Sequence, residues 1–149
     1  LQAFGGISLT VDGTPVNLPD HVAYKGMMLS DVPNFAYAIG YTNSSWTLKV
    51  GLLCEHLCRL LAYMDANGFD TARPVLDDPN MDTRPLLDFG AGYVQRAVHQ
   101  FPRQGEGQPW LTSMSYYTDV KSLRNADVVD PALKLTSSAD VRSREAVPA

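Results

Sequence analysis

The chain has 149 residues, 45% of them hydrophobic and 19% charged, enough for one soluble domain with its own core and too apolar for a disordered segment. Twelve Lys and Arg stand against sixteen Asp and Glu, and the basic residues form no run, so a balance of −4 gives neither nucleic acid nor an anionic membrane surface a general hold on it. No apolar stretch reaches the roughly 20 residues that a membrane span requires.

The chain opens Leu1-Gln2-Ala3 without Met, so either it is processed or an upstream part is missing; no basic leader marks a signal peptide, and with only two cysteines a reducing cytoplasm is the expected compartment. Cys54 and Cys58, four residues apart, do not form a secreted disulfide framework. A bridge within one helix has poor geometry, and His56 alone does not complete a metal site with them. The expectation is two buried small hydrophobes and no metal.

Residues 6–18 read as a β-hairpin. Ile7, Leu9 and Val11 alternate with polar residues, and Asp12-Gly13 supplies the positive φ of a tight turn. Pro15 places the return strand at an edge. A short strand follows over Val22 to Lys25, stopped at Gly26. The run Phe35-Ala36-Tyr37-Ala38-Ile39 is continuously apolar, the pattern of a strand buried on both faces and ending at Gly40.

From Trp46 to Met64 apolar residues recur at 46, 50, 53, 57, 60, 61 and 64, the stripe of an amphipathic helix. Asn43, Ser44 and Ser45 offer side-chain caps at its start, and Gly68 with Phe69 closes it after Asn67. Glu55 and Arg59 are spaced to pair. Residues 70–90, with Pro74, Pro79 and Pro85, read as a surface loop. Short helices are expected over Tyr93–Phe101 and Ser115–Arg124, the second with Tyr116, Val120 and Leu123 inward. Trp110 is expected to anchor the tail, and residues 136–149 to fray. His21 and His99 lack a Ser or Cys partner, so no catalytic triad is indicated.

Tyr24-Lys25-Gly26, then Pro33-Asn34, the strand to Gly40, Tyr41-Thr42-Asn43-Ser44-Ser45-Trp46-Thr47 and the helix end Tyr63-Met64-Asp65 with Asn67-Gly68-Phe69-Asp70 stand in one order. In this the chain resembles the C-terminal portion of Baeyer–Villiger-type FAD-containing monooxygenases, most of all their actinobacterial ethionamide-activating branch, over roughly residues 1–125. The resemblance implies an α/β fold in which this is the C-terminal part of a two-dinucleotide-binding-domain flavoprotein. Residues 1–69 would end the FAD-binding domain, 70–135 would wrap it, and 136–149 would form a tail.

It further implies FAD and NADPH as cofactors, a small hydrophobic substrate, and transfer of one oxygen atom from O2 to a ketone or to thioether or thioamide sulfur. Asn43, Ser44, Ser45, Trp46, Thr47 and Leu48 would face the flavin, and Tyr41 and Thr42 the substrate. The helix start suits that role, since its unpaired amides carry about half a positive charge toward an anionic ring edge. By pattern alone Trp46 is simply the first core residue of the helix.

Two departures limit what the resemblance implies. The turn between Gly40 and Trp46 is shorter than in ketone-oxidising members, which leaves sulfur oxidation open. No Gly-x-Gly-x-x-Gly motif is present, and the nearest string, Gly90-Ala91-Gly92-Tyr93, lacks its third glycine. The family's Phe-x-Gly-x-x-x-His signature and catalytic arginine are absent as well. By itself the segment is therefore expected to be inactive, with no catalytic residue of its own. The rival reading is a non-enzymatic hairpin–helix module that binds a protein partner.

Overall fold

The computed structural model describes residues 2–87 and 92–140. Among these described residues, one long helix lies amid four two-stranded antiparallel ladders. This composition is compatible with an α/β class.

The hairpin forms around the expected Asp12-Gly13 turn, but its strands are shorter than the expected span 6–18, and Leu18 opens a 3-10 turn over Leu18–Asp20. Strands β1 (Thr10–Val11) and β2 (Thr14–Pro15) pair antiparallel, with Val11 opposite Thr14. Asp12 and Gly13 both take positive φ, 49° and 81°, as a type I′ turn demands. Strand β3 (Ala23–Tyr24) returns through Gly26 (φ 65°) to β4 (Met28–Leu29), and every residue from Val22 to Ser30 is buried.

Residues 35–39 do not form the expected doubly buried strand. They make one isolated bridge, Met28 to Ala36, and their exposure alternates, with Ala36 and Ala38 open and Tyr37 half-buried. No strand among the described residues supplies the remaining backbone partners, so the apolar run has one covered face only.

Helix α1 (Trp46–Asn67) has Ser45 at its N-cap and Gly68 in the left-handed C′ site (φ 71°). The Gly68 and Phe69 amides return to Asp65 and Met64 carbonyls, closing the last turn as a Schellman motif. The Ser45 side chain caps no amide; its Oγ pairs with Thr47 Oγ1 at 3.1 Å. Glu55 turns away from Arg59 and forms two 2.8 Å bonds with Arg124, while Arg59 reaches the Ala126 and Leu123 carbonyls.

The buried face of α1 differs from the expected stripe. Lys49, Leu52, Leu53, His56, Leu60 and Met64 point inward, whereas Trp46 and Leu61 are 53% and 50% exposed. At 100° per residue this rotates the inner face by roughly 60°. The rotation follows from two polar side chains with partners in the tail, Lys49 and His56. Cys54 and Cys58 consequently lie exposed rather than buried.

Residues 70–90 are not merely loop. Strand β5 (Thr71–Pro74) pairs with β8 (Leu133–Thr136), and β6 (Thr83–Pro85) pairs with β7 (Arg103–Gly105). Both prolines end their strands, where a missing donor is tolerated. Ser138 binds the Asp70 carboxylate, which extends order past Thr136; residues 141–149 of the expected tail lie outside the described residues. So do Gly90 and Ala91 of the glycine string.

The second half of the chain packs on the first. The larger core joins Val22, Tyr24, Met28, Leu52, Leu60 and Met64 to Trp110, Leu123 and Leu133. Trp110 meets Tyr24 edge-on at 5.7 Å, as an anchor should. A smaller core joins Ala3, Ala23 and Ile39 to Leu86, Val94 and Phe101. The short helices stand near their expected places: α2 (Gly92–Gln95) with a 3-10 turn over Val98–Gln100, and α3 (Tyr116–Asp119), capped by Ser115 and continued by a π-helical turn to Arg124.

Candidate functional site

The turn from Gly40 to Leu48 collects the residues selected from sequence, and the structure sorts them into an exposed set and a buried support. Asn43, Ser44, Ser45, Trp46, Thr47 and Leu48 are all exposed, Leu48 to 47%. The amides of Trp46 and Thr47 have no carbonyl one turn back, and no side chain of the cap takes their place. The Leu48 amide reaches the Ser45 carbonyl at 3.3 Å, so it is already engaged. The start of α1 thus offers uncapped donors between two exposed apolar side chains.

Gly40 lies beneath the Trp46 side chain. A Cβ at Gly40 would stand 2.7 Å from Trp46 Cα and closer still to the indole. Only glycine allows the turn to pass so near the helix start.

Tyr41 and Thr42 part company. Tyr41 is buried, with its hydroxyl donating to Asp119 Oδ2 at 2.7 Å. Burial first, and the carboxylate beside it second, push this phenol up, so it stays protonated. Thr42 is exposed and borders a cavity of about 240 Å³ with Leu86, Leu87, Gln104, Leu111 and Met114. Its Oγ1 points at Met114 Sδ across 3.8 Å.

Beneath the turn sits a charged network that sequence reasoning missed. Lys49 Nζ pairs with Asp119 Oδ2 at 3.2 Å, donates to the Ser113 carbonyl and lies 5.2 Å from the Tyr41 ring centroid. Lys49 is 1% exposed and Asp119 3%. Burial lowers the Lys49 pKa from its usual value, and Asp119 pulls it back up. A polar residue on the apolar side of a helix was the available signal, but its partner lies 70 positions away in the chain.

Further along α1, His56 is buried with Nδ1 2.9 Å from the Leu123 carbonyl, which places the ring proton on Nδ1. Its Nε2 has no partner. A second ionic group joins Tyr24, Lys25 and Asp130, with the Tyr24 hydroxyl 2.6 Å and Lys25 Nζ 3.4 Å from Asp130 Oδ2.

A wider cleft of about 640 Å³ lies between the hairpin and the β5–β8 ladder, lined by Asp12, Asp31, Arg73 and Lys134 among others, and includes none of the selected residues. Among the described residues no group of His, Cys, Asp or Glu is placed to hold a metal, and no helix is long and apolar enough to cross a membrane.

The chain is 47% identical over 136 residues to the FAD-containing monooxygenase EthA of Mycobacterium tuberculosis, covering 90% of this chain and 27% of that protein. The EthA of Mycolicibacterium smegmatis is 44% identical over 91% of this chain and 28% of its own length. The chain belongs to the FAD-containing monooxygenases. A further relative, described as a probable FAD-binding monooxygenase AlmA of Acinetobacter baylyi, is 40% identical over 149 residues, 99% of this chain and 30% of that protein. The chain therefore spans under a third of the length of these relatives. No family model matches it, and no solved structure matches it significantly.

Proposed function

We propose that this chain is the flavin-flanking C-terminal part of an FAD- and NADPH-dependent monooxygenase. The whole enzyme puts one atom of O2 into a ketone or a thioether or thioamide sulfur and releases the other as water, with NADPH supplying two electrons. Residues 1–69 end the FAD domain, and residues 70–135 wrap it, in keeping with the shared core between the two halves. The observation that carries the reading is the uncapped start of α1 flanked by exposed Trp46 and Leu48. Exposed large apolar side chains beside free amide donors fit a flat ring with an anionic edge better than they fit water.

Bound FAD supplies the redox chemistry. This chain's own share is binding, orientation and exclusion of water. The Trp46 and Thr47 amides, with the positive end of the α1 dipole, stabilise negative charge on the flavin's pyrimidine edge. The exposed Trp46 indole would lie against the ring, and Leu48 would help to exclude water from it. Thr42, Leu111 and Met114 form part of the substrate wall, with Tyr41 held rigid behind them.

The diphosphates of both cofactors need glycine loops that this chain does not contain, so they are held by the remainder of the enzyme. That remainder also has a surface to meet. Leu61 stands out from α1, and Leu53, Cys54 and Leu57 line an apolar hollow of about 190 Å³ against Ala36, Tyr37 and Ala38.

A full-length enzyme carrying this chain tests the reading. It should purify yellow with FAD and lose that colour when NADPH is added without oxygen. The 149-residue chain alone should leave FAD fluorescence unchanged on titration. A colourless full-length protein contradicts the reading, and tight FAD binding by the chain alone contradicts the assignment of the phosphate loops elsewhere.

A further inference from the structure

Among the buried ionisable groups, the Lys49 network has the most unusual placement. A lysine in the first turn of a helix faces the positive end of the dipole, the wrong end for a cation. Removing two ions from water costs more than their attraction returns unless other hydrogen bonds complete them. Leu52 and Leu53, on the same face, fill space without any such cost. Packing alone thus does not explain the pair.

What the pair adds is direction. Asp119 Oδ2 receives both the Tyr41 hydroxyl, at 2.7 Å, and Lys49 Nζ, at 3.2 Å, while Nζ also donates to the Ser113 carbonyl. The two ends of the turn, Tyr41 and Lys49, therefore meet at one carboxylate oxygen that a segment distant in sequence supplies. Tyr41 directly follows Gly40, on which Trp46 rests, and Lys49 lies one turn beyond Trp46. Any displacement of Asp119 moves Tyr41 and Lys49 together, and with them both ends of the exposed turn.

We infer that Lys49 and Asp119 are positioning residues that fix the Gly40–Leu48 turn, so that the amides and indole at the start of α1 stand where the flavin edge requires them. This rests on the proposed function, because it presumes that the turn meets the flavin.

The test uses the full-length flavoprotein and the double variant Lys49→Met/Asp119→Leu, which removes both charges and keeps the apolar volume. Its expected result is bound FAD, a thermal midpoint near wild type, and a flavin reduction potential more negative by about 30 mV, a tenfold change for two electrons. Tyr41→Phe leaves the ion pair intact and frees the turn from it, so it should move the potential in the same direction by less. This second variant also decides the matter if the double variant does not fold. A role confined to stability would shift the melting midpoint and leave the potential unchanged in both variants, which overturns the inference. Wild-type protein without flavin overturns the proposed function itself, and the inference with it.

Discussion

The Trp46 side chain covers Gly40 so closely that no side chain fits between them. The turn that opens α1 is thereby closed on itself, with Tyr41 buried on one side and Trp46 exposed on the other. Replacing Gly40 by Ala forces backbone or indole to move. Overpacking of this kind costs about 1–3 kcal/mol. We expect Gly40→Ala to lower the denaturation midpoint of the full-length protein and the amount of flavin it retains. Unchanged stability and flavin content would mean that the turn has slack that the close approach denies.

His56 gives the protein a pH dependence. Burial first holds its pKa below the usual 6.5, with Lys25 and Arg59 adding to the lowering, while the Leu123 carbonyl and Asp130 oppose it. Between that lowered value and 6.5 the unfolded chain binds a proton that the folded chain refuses. Stability is therefore full above pH 6.5 and falls as the pH drops below it. Glu55 and Asp70, held below their usual 4.5 and 3.8 by hydrogen bonds from Arg124 and Ser138, add their own loss only at lower pH. Urea midpoints measured from about pH 7.5 down to about 5 should fall for wild type and stay flatter for His56→Gln. Equal slopes would assign the loss to another group.

Much of this architecture is legible where the determinants are local. Asp12-Gly13 announces the hairpin, Gly68-Phe69 the end of α1, and Ser115 the start of α3, because each acts through its own neighbours. The misread parts depend on distant partners. The inner face of α1 is set by Lys49 and His56, whose acceptors, Ser113 and Leu123, lie 64 and 67 residues away. Strand β5 exists because β8 pairs with it across the chain, so Pro74 suggests a loop only until that partner is present. Of the candidate site, the turn itself was readable, whereas the split between exposed Thr42 and buried Tyr41 needed Asp119.

Leu61 tests the exposed strip of α1. It is half-exposed in this chain, so Leu61→Lys should alter the chain's own stability by less than about 0.5 kcal/mol. If the strip is covered in the full-length enzyme, the same change buries a charge against apolar surface there and costs about 2 kcal/mol or more. Chemical denaturation of both proteins makes the comparison. An equally small effect in both would leave the strip facing solvent.

Stabilisation of the reduced flavin by the start of α1, as proposed, is tested most directly by the flavin reduction potential of a full-length Thr47→Pro variant. Proline is tolerated in a first helical turn, so the fold should survive while one donor is lost. A hydrogen bond to a charged group contributes about 1.5–3 kcal/mol, equivalent to roughly 30–60 mV for a two-electron couple. The expected potential is more negative by that amount, with the melting midpoint little changed. A variant that keeps FAD at the wild-type potential would contradict it, and would make this turn a structural join away from the flavin edge.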